Sequence, residues 1–210
     1  MKIAVLGANG KSGGFIVDEL IHQGYEPTSI VRNKDTYIGN ANHVFVKDVF
    51  DLTQSDINDY DVVINALGFF TQETLKNHLE STKHLISILS GLDTRLMIVG
   101  GAGSLYVDEN ETSRLMDTPD FPNDYKPLAA AMFEAFAYLR TVTDVNWTYL
   151  SPSAFFDFEG DRLGRYRVGE NQLLVNEAGE SRISYADYAI AMVDEIKNDK
   201  YRGQRFTVGE

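Results

Sequence analysis

Cysteine is absent from the 210 residues, which excludes disulfide cross-links, thiolate catalysis and cysteine-ligated metals. Basic side chains are scarce: 19 lysines and arginines face 31 aspartates and glutamates, and the formal charge of -12 repels nucleic-acid phosphates and anionic lipid surfaces on average. No long apolar run occurs, so no membrane span is expected. The start, Met1-Lys2-Ile3-Ala4-Val5-Leu6, runs straight into glycines without the apolar length or cleavage site of a signal peptide. A cytoplasmic protein without nucleic-acid or membrane partners is the expectation. The four histidines, His22, His43, His78 and His84, lack metal-ligand spacing, and no metal is expected. What the chain does have is core material. It is 43% hydrophobic with no compositional break, as one globular domain over residues 1–210 requires.

Hydrophobic periodicity alternates between strand and helix. Ile3 to Leu6 is a short apolar run stopped by Gly7, and Ile16, Val17, Leu20 and Ile21 then recur at helical spacing up to Gly24. Further strands are expected at Pro27–Val31, His43–Val46, Asp61–Leu67 and Leu96–Val99, with a helical stripe from Leu75 to Leu89 before the last of them. Strands that are apolar throughout are buried on both faces, as in parallel sheets joined by right-handed crossovers. The polar stretch from Ser104 to Asp124 is longer than most connections, and loops of that length are usually functional or mobile. A helix follows through Leu128, Met132, Ala135, Phe136 and Leu139, then a sixth strand at Trp147–Leu150. Residues 153–184, with Phe155, Phe156 and Phe158, read as a small appended lobe on the substrate side. A helix over Tyr185–Lys197 and a late strand near Arg205–Val208 close the chain. The expected class is α/β, a doubly wound parallel sheet.

Gly7-Ala8-Asn9-Gly10-Lys11-Ser12-Gly13 follows the first strand and opens the first helix. Glycines permit a tight turn and close approach of a pyrophosphate, and the helix start offers unpaired N–H groups and partial positive charge. Ser12 adds a hydroxyl donor. The spacing G-x-x-G-x-x-G departs from G-x-G-x-x-G, so the strand–loop–helix context carries the reading of a nucleotide-binding turn rather than the glycines alone. The second strand ends in Val31-Arg32-Asn33, without the acidic residue that bonds an NAD ribose. Arg32 instead suits a 2′-phosphate, so NADP(H) is the expected cofactor, with NAD still possible; a solvated surface arginine is the alternative. Asp48 and Val49 after the third strand could meet the adenine, and Ala66, Leu67 and Gly68 after the fourth could line the adenosine ribose. Both could equally be strand-end turns.

Together with Gly100-Gly101-Ala102-Gly103-Ser104, Trp147-Thr148-Tyr149-Leu150-Ser151-Pro152 and Ser181-Arg182-Ile183-Ser184-Tyr185-Ala186-Asp187-Tyr188-Ala189, these residues resemble the atypical short-chain dehydrogenase/reductases of the NmrA-like, NAD(P)H-binding group. Within that group the resemblance is to its NADH-flavin reductase subgroup, related to the flavin reductase that also reduces biliverdin, and it runs over nearly the whole chain. It implies a Rossmann-type fold with strands ordered 3-2-1-4-5-6, a reduced dinucleotide and a flavin or similar planar acceptor. The flavin would be a substrate rather than a resident cofactor. Gly101 would border the cofactor. One departure stands out. No tyrosine has a lysine four residues on, and Tyr125, where the Tyr-x-x-x-Lys pair of ordinary members belongs, is followed by Ala129. Ketone reduction and sugar epimerisation lose their usual acid/base pair.

Ser104 and Tyr125 remain the candidate catalytic groups, each as a hydrogen-bond donor to the nicotinamide amide or the acceptor; a turn-capping serine and a packing tyrosine are the plainer readings. Pro152-Ser153-Ala154-Phe155 would pass beside the nicotinamide, the backbone fixing its carboxamide and Phe155 or Phe156 walling the acceptor. Arg162, Arg165 and Arg167 could meet an anionic acceptor, although pairing with Asp157, Glu159, Asp161 and Glu170 is favoured. Asp187 helps to begin a helix and is assigned no chemistry. The leading expectation is an NADPH-dependent oxidoreductase acting on FMN, FAD, a quinone or a tetrapyrrole, as a monomer or homodimer. A non-catalytic NAD(P)-binding redox sensor of NmrA type is the alternative from a different class, and an epimerase is weakest.

Overall fold

A computed structural model describes all 210 residues, Met1–Glu210. The first half builds β1 (Ile3–Leu6), α1 (Lys11–His22), β2 (Thr28–Val31), β3 (His43–Val46), α2 (Gln54–Ile57), β4 (Val62–Asn65), α3 (Asn77–Leu89) and β5 (Arg95–Val99). The second half adds α4 (Lys126–Leu139), β6 (Asn146–Ser151), β7 (Phe155–Asp157), β8 (Arg167–Gly169), β9 (Arg182–Ser184), α5 (Tyr185–Asn198) and β10 (Gln204–Gly209). Eight strands form one sheet in the order β3-β2-β1-β4-β5-β6-β10-β8, parallel throughout except where β8 runs antiparallel along β10. This is the Rossmann-type order expected, extended by the late strand and one more.

Two cores flank the sheet. Ile16, Val17 and Leu20 of α1 pack with Ile3 and Val5 of β1 and with Tyr188, Met192 and Val193 of α5. On the opposite face Leu85, Ile86 and Leu89 of α3 meet Ala4 and Leu6 of β1 and Phe136 and Leu139 of α4. Alternate residues of β1 therefore serve opposite cores, which is why the strand is apolar at every position. Because α1 and α3 leave the adjacent strands β1 and β4 toward opposite faces, a crevice opens between the two departing loops at the carboxyl edge.

Residues 153–184 do not all stand apart from the sheet, as a separate lobe would. Only β7 and β9 form their own two-stranded parallel ribbon, while β8 covers the outer edge of β10. An uncovered β10 would expose a row of unpaired backbone groups, and β8 satisfies them. Asp187 fastens the segment between β7 and β8 to α5. Its buried carboxylate accepts hydrogen bonds from the Leu163 and Gly164 amides at 3.0 and 2.8 Å, while Ser184 caps the helix by accepting from the Asp187 amide at 3.0 Å.

The Ser104–Asp124 stretch is built rather than open. The Tyr106 amide donates to the Asn171 carbonyl at 2.9 Å, the Leu173 amide donates to the Tyr106 carbonyl at 2.8 Å, and 3-10 turns form at Leu115–Asp117 and Asn123–Tyr125.

At the amino edge of the sheet the buried Arg95 ties three elements together. Its Nη2 lies 2.5 Å from Glu195 Oε1 and 2.6 Å from Thr148 Oγ1, and its Nη1 is 3.0 Å from Asp199 Oδ1. Removing one partner of such a buried pair leaves the other charge uncompensated. Arg95→Met is expected to destabilise the fold by about 3–5 kcal/mol. Urea unfolding followed by circular dichroism checks this, and a midpoint equal to wild type would contradict the assignment.

Candidate functional site

The glycine loop is shaped by two close backbone approaches. Gly7 has φ +73°, and a Cβ there would lie 2.6 Å from the Ala66 carbonyl oxygen; a Cβ on Gly13 would lie 2.2 Å from the Gly7 carbonyl oxygen. No side chain fits either place. Within the loop the Gly10 amide donates to the Gly7 carbonyl and the Gly14 amide to the Gly10 carbonyl, both at 2.8 Å. Gly10 is the N-cap of α1 and supplies no capping side chain, so the amides of Lys11, Ser12 and Gly13 have no acceptor. Unpaired amides and the positive end of a 12-residue helix face the crevice, an arrangement that fits the diphosphate of a dinucleotide. Ala8 is buried in the core beneath them.

Asn9 does something the sequence did not disclose. Its Nδ2 donates to the Thr36 carbonyl at 2.9 Å and its Oδ1 accepts from the Ile38 amide at 3.2 Å, so its side chain is engaged in holding the loop after β2. Arg32 begins that loop, exposed and free of hydrogen bonds or ion pairs with other side chains, as a phosphate receptor would be. Lys11 places its ammonium 4.3 Å from the centre of the Phe158 ring. Ser12 lies against the hydroxyl of Tyr185, whose pKa burial raises and the Ser12 contact partly restores.

Further along the edge, Asp48 caps a 3-10 turn by accepting from the Phe50 amide at 3.0 Å, and the Val49 side chain is buried in the core. The Val49 side chain is therefore not available to an adenine, whereas Asp48 keeps its Oδ2 free of partners. Ala66, Leu67 and Gly68 border the crevice opposite the glycine loop, with the Leu67 amide held by Asn65 Oδ1 at 3.1 Å. The ring of Phe70 lies over Gly68, where a Cβ would come within 2.5 Å of it, and Phe70 is 75% exposed. Only its spacing two residues after Gly68 could have drawn attention to it.

The remaining candidates separate. The Gly101 amide donates to the Tyr149 hydroxyl at 3.2 Å, and burial pushes the Tyr149 pKa up to about 12. Ser104 is buried, its Oγ accepting from Arg205 Nη1 at 2.9 Å and its carbonyl accepting from the same nitrogen at 3.1 Å. Its hydroxyl proton is thereby left free to donate. Tyr125 is 61% exposed at the N-cap of α4, its hydroxyl without a hydrogen-bond partner. One turn on, Ala129 packs so closely on Gly103 that a Cβ there would lie 2.8 Å from its own. Four residues after Tyr125 the chain thus presents a methyl group packed against backbone.

Backbone fixation by residues 152–155 is narrower than the sequence suggested. The buried Ser153 spends its hydroxyl on the Val208 carbonyl at 2.9 Å. The Ala154 amide donates to Ser181 Oγ at 3.0 Å and the Phe155 amide to the Ser181 carbonyl at 2.9 Å. Pro152 has no N–H, so the Ser153 amide is the one donor of this stretch without an acceptor. Phe155 is 58% exposed beside Arg182, whereas Phe156 stacks on Tyr185 with ring centres 3.7 Å apart and is not a free wall. Nor do the arginines pair as expected. Arg162 reaches Glu19 of α1 at 2.7 Å, Arg167 donates to the carbonyls of Glu210 and Val175, and Asp157 is taken by Arg182. Short-range sequence neighbours lost to partners brought in by the fold.

Comparison with known proteins agrees with this geometry. The family described as NAD(P)H-binding matches residues 7–198. The uncharacterized protein YwnB of Bacillus subtilis (strain 168) is 48% identical over 210 residues, covering 99% of this chain and 98% of its own. A crystal structure from Streptococcus pneumoniae TIGR4, provisionally described as an NADH-flavin reductase, superposes with a TM-score of 0.96 at 43% identity, covering 100% of this chain and 99% of its own. Another from Bacteroides thetaiotaomicron, provisionally described as an epimerase, gives 0.86 at 34% identity over 99% and 96% of the two chains. The glycine loop, the crevice at the switch of strand order and a match over most of the sequence have one reading: the chain belongs to the NAD(P)H-binding family.

Proposed function

We propose that the protein is an NAD(P)H-dependent reductase, preferring NADPH, that passes hydride to a flavin or a similar planar conjugated acceptor. The observation that carries this reading is the row of unpaired amides at Lys11, Ser12 and Gly13, aimed into the crevice that Gly7 and Ala66 bound. These amides hold the diphosphate. Arg32, free of other partners, takes a 2′-phosphate with paired hydrogen bonds. Ala66, Leu67, Gly68 and Gly101 bound the ribose and nicotinamide path, and the Ser153 amide is left to fix the carboxamide. When bound, a reduced nicotinamide supplies the hydride.

For the acceptor the chain offers few proton-transfer groups and much apolar surface. Phe70, Tyr125 and Phe155, all well exposed, follow the carboxyl ends of β4, β5 and β6. A flat conjugated ring buries such surface favourably, and orientation then provides most of the rate. Ser104, turned into a donor by Arg205, and Tyr125 can each hydrogen-bond an acceptor oxygen or nitrogen. Neither has a lysine or histidine to pass it a proton, so the remaining proton comes from solvent. The description of the Streptococcus pneumoniae relative as an NADH-flavin reductase supports the acceptor class.

Three measurements test the reading. Arg32→Ala should weaken NADPH binding by about tenfold to a hundredfold while NADH changes little, as expected for loss of a charged hydrogen-bond pair; equal weakening of both cofactors would count against the 2′-phosphate contact. Tyr125→Phe should leave FMN turnover within about tenfold, or ~1.4 kcal/mol of barrier, because no proton needs to pass through it. A far larger drop with cofactor affinity intact would make Tyr125 an acid. Finally, NADPH oxidation should be seen with at least one of FMN, FAD, quinones or tetrapyrroles. Binding of both cofactor redox states without turnover on any of them would identify a sensor instead.

A further inference from the structure

The protein buries two arginines, Arg95 and Arg205, and their surroundings differ in charge. Arg95 is neutralised by Glu195 and Asp199. Arg205 on β10, 6% exposed, has no carboxylate within ion-pair distance. Its Nη1 donates to the Ser104 hydroxyl and carbonyl oxygens at 2.9 and 3.1 Å, and its Nε and Nη2 donate together to Asn171 Oδ1 at 3.1 and 2.9 Å. The second arrangement is the fork that an arginine offers to a carboxylate, and here a neutral amide fills it. The guanidinium lies 4.7 Å from the centre of the Phe136 ring, and Arg140, 6.0 Å from the same centre, adds a like charge rather than an opposite one. Hydrogen bonding is satisfied while charge is not. A buried cation is costly unless an opposite charge meets it, so the partner that the chain withholds is to be sought in a ligand.

Position decides which ligand charge that is. In sheet order β10 stands four strands from β1, about 19 Å at the usual strand spacing, so Arg205 is out of reach of a diphosphate held at the glycine loop. Ser104, just beyond the carboxyl end of β5, carries its influence to the acceptor end of the crevice. Hydride transfer creates a charge at that end. The C4–H bond of the nicotinamide breaks with its electron pair, an N–H bond forms at N5 of a neutral flavin, and the displaced pair ends on the N1–C2=O side of the flavin ring. The reduced flavin is a monoanion until water protonates it, and a neutral quinone that takes hydride passes through the same charge state. We propose that Arg205 is the counter-charge for the anionic reduced acceptor and that it acts through Ser104 as a positioning residue. Asn171 keeps that charge available by filling the fork without neutralising it. This rests on the acceptor reading above and adds what selects the acceptor: a neutral ring that becomes an anion on two-electron reduction.

Asn171→Asp tests this in the full-length protein, because it keeps the shape of the fork and adds the missing carboxylate. The variant should unfold at or above the wild-type temperature. In anaerobic stopped-flow single turnovers it should nevertheless slow hydride transfer from NADPH to FMN and to menadione by about tenfold to a hundredfold, less than the loss of a donor that touches the reacting group itself. Its affinity for NADPH, measured by calorimetry, should not change. Equilibrium titration supplies a readout that needs no turnover: the wild type should bind reduced FMN more tightly than oxidised FMN, and Asn171→Asp should lose that preference. Wild-type rates in Asn171→Asp would overturn the inference and leave Arg205 as a structural tie between β10 and the Ser104 loop. A fall in NADPH affinity in place of rate would overturn it as well. Equal affinity of the wild type for the two redox states of FMN would do so whatever the variant shows. A wild type that binds NADPH and reduces neither FMN nor menadione would remove the acceptor reading and this inference together.

Discussion

Everything at the carboxyl edge depends on how closely the backbone of Gly7 can lie against that of Ala66, and Gly13 against Gly7. A methyl group at either glycine would sit within 2.6 Å of a carbonyl oxygen, so the turn exists only because both side chains are missing. The packing has an electrostatic result. It fixes the first turn of α1 in a position where its amides cannot be capped by the chain, leaving donors pre-aimed at open space. Preorganised donors need no rearrangement when an anion arrives, which is what makes a helix start effective for diphosphates. The crevice opens beside this turn because the next strand in the sheet, β4, sends its chain to the opposite face.

A net charge of -12 makes the molecule an unfavourable target for anions at long range. The local arrangement opposes that field. Lys11, Arg32 and Lys34 all lie on or beside the glycine loop and the loop after β2, and two acidic residues nearby are held in ion pairs, Glu19 with Arg162 and Asp157 with Arg182. Exposed charges beyond about 8 Å are largely screened at physiological ionic strength, so close donors outweigh distant carboxylates. Net acidity repels polyanions on average and still leaves room for a small anionic cofactor that enters a defined turn.

The sheet was readable from sequence because its central strands β1 and β4 are apolar almost throughout and its helices at every third or fourth residue, signals that survive without tertiary information. The order of the first six strands followed from resemblance, and the structure adds β8 at the edge because β10 would otherwise present unpaired backbone. The glycine loop was legible for the same reason as the strands: its constraint is local. Side-chain roles were not. Val49 and Ser153 look available in sequence and are buried in the fold; Asn9 looks like a ligand contact and its side chain holds a loop; Arg162 lies among acids and pairs with Glu19, 143 residues away. Each of these outcomes is set by which surface the folded chain brings near, and spacing along the sequence does not carry that information.

The pairing of Ser104 with Arg205 bears on what chemistry such a site can perform. Arg205 is buried with no carboxylate beside it; its guanidinium lies over Phe136 and is satisfied by Ser104 and by Asn171 Oδ1. Burial lowers its pKa, but an arginine remains charged well above neutral pH. A cation that donates to Ser104 Oγ withdraws its lone pair, so this hydroxyl is a donor and a poor base. Four residues after Tyr125, Ala129 offers a methyl group and no proton-transferring side chain. A site of this kind favours acceptors whose reduction places negative charge near a donor and takes the proton from water, and it disfavours alcohols and sugars, which require a base to remove a proton in the same step as hydride transfer.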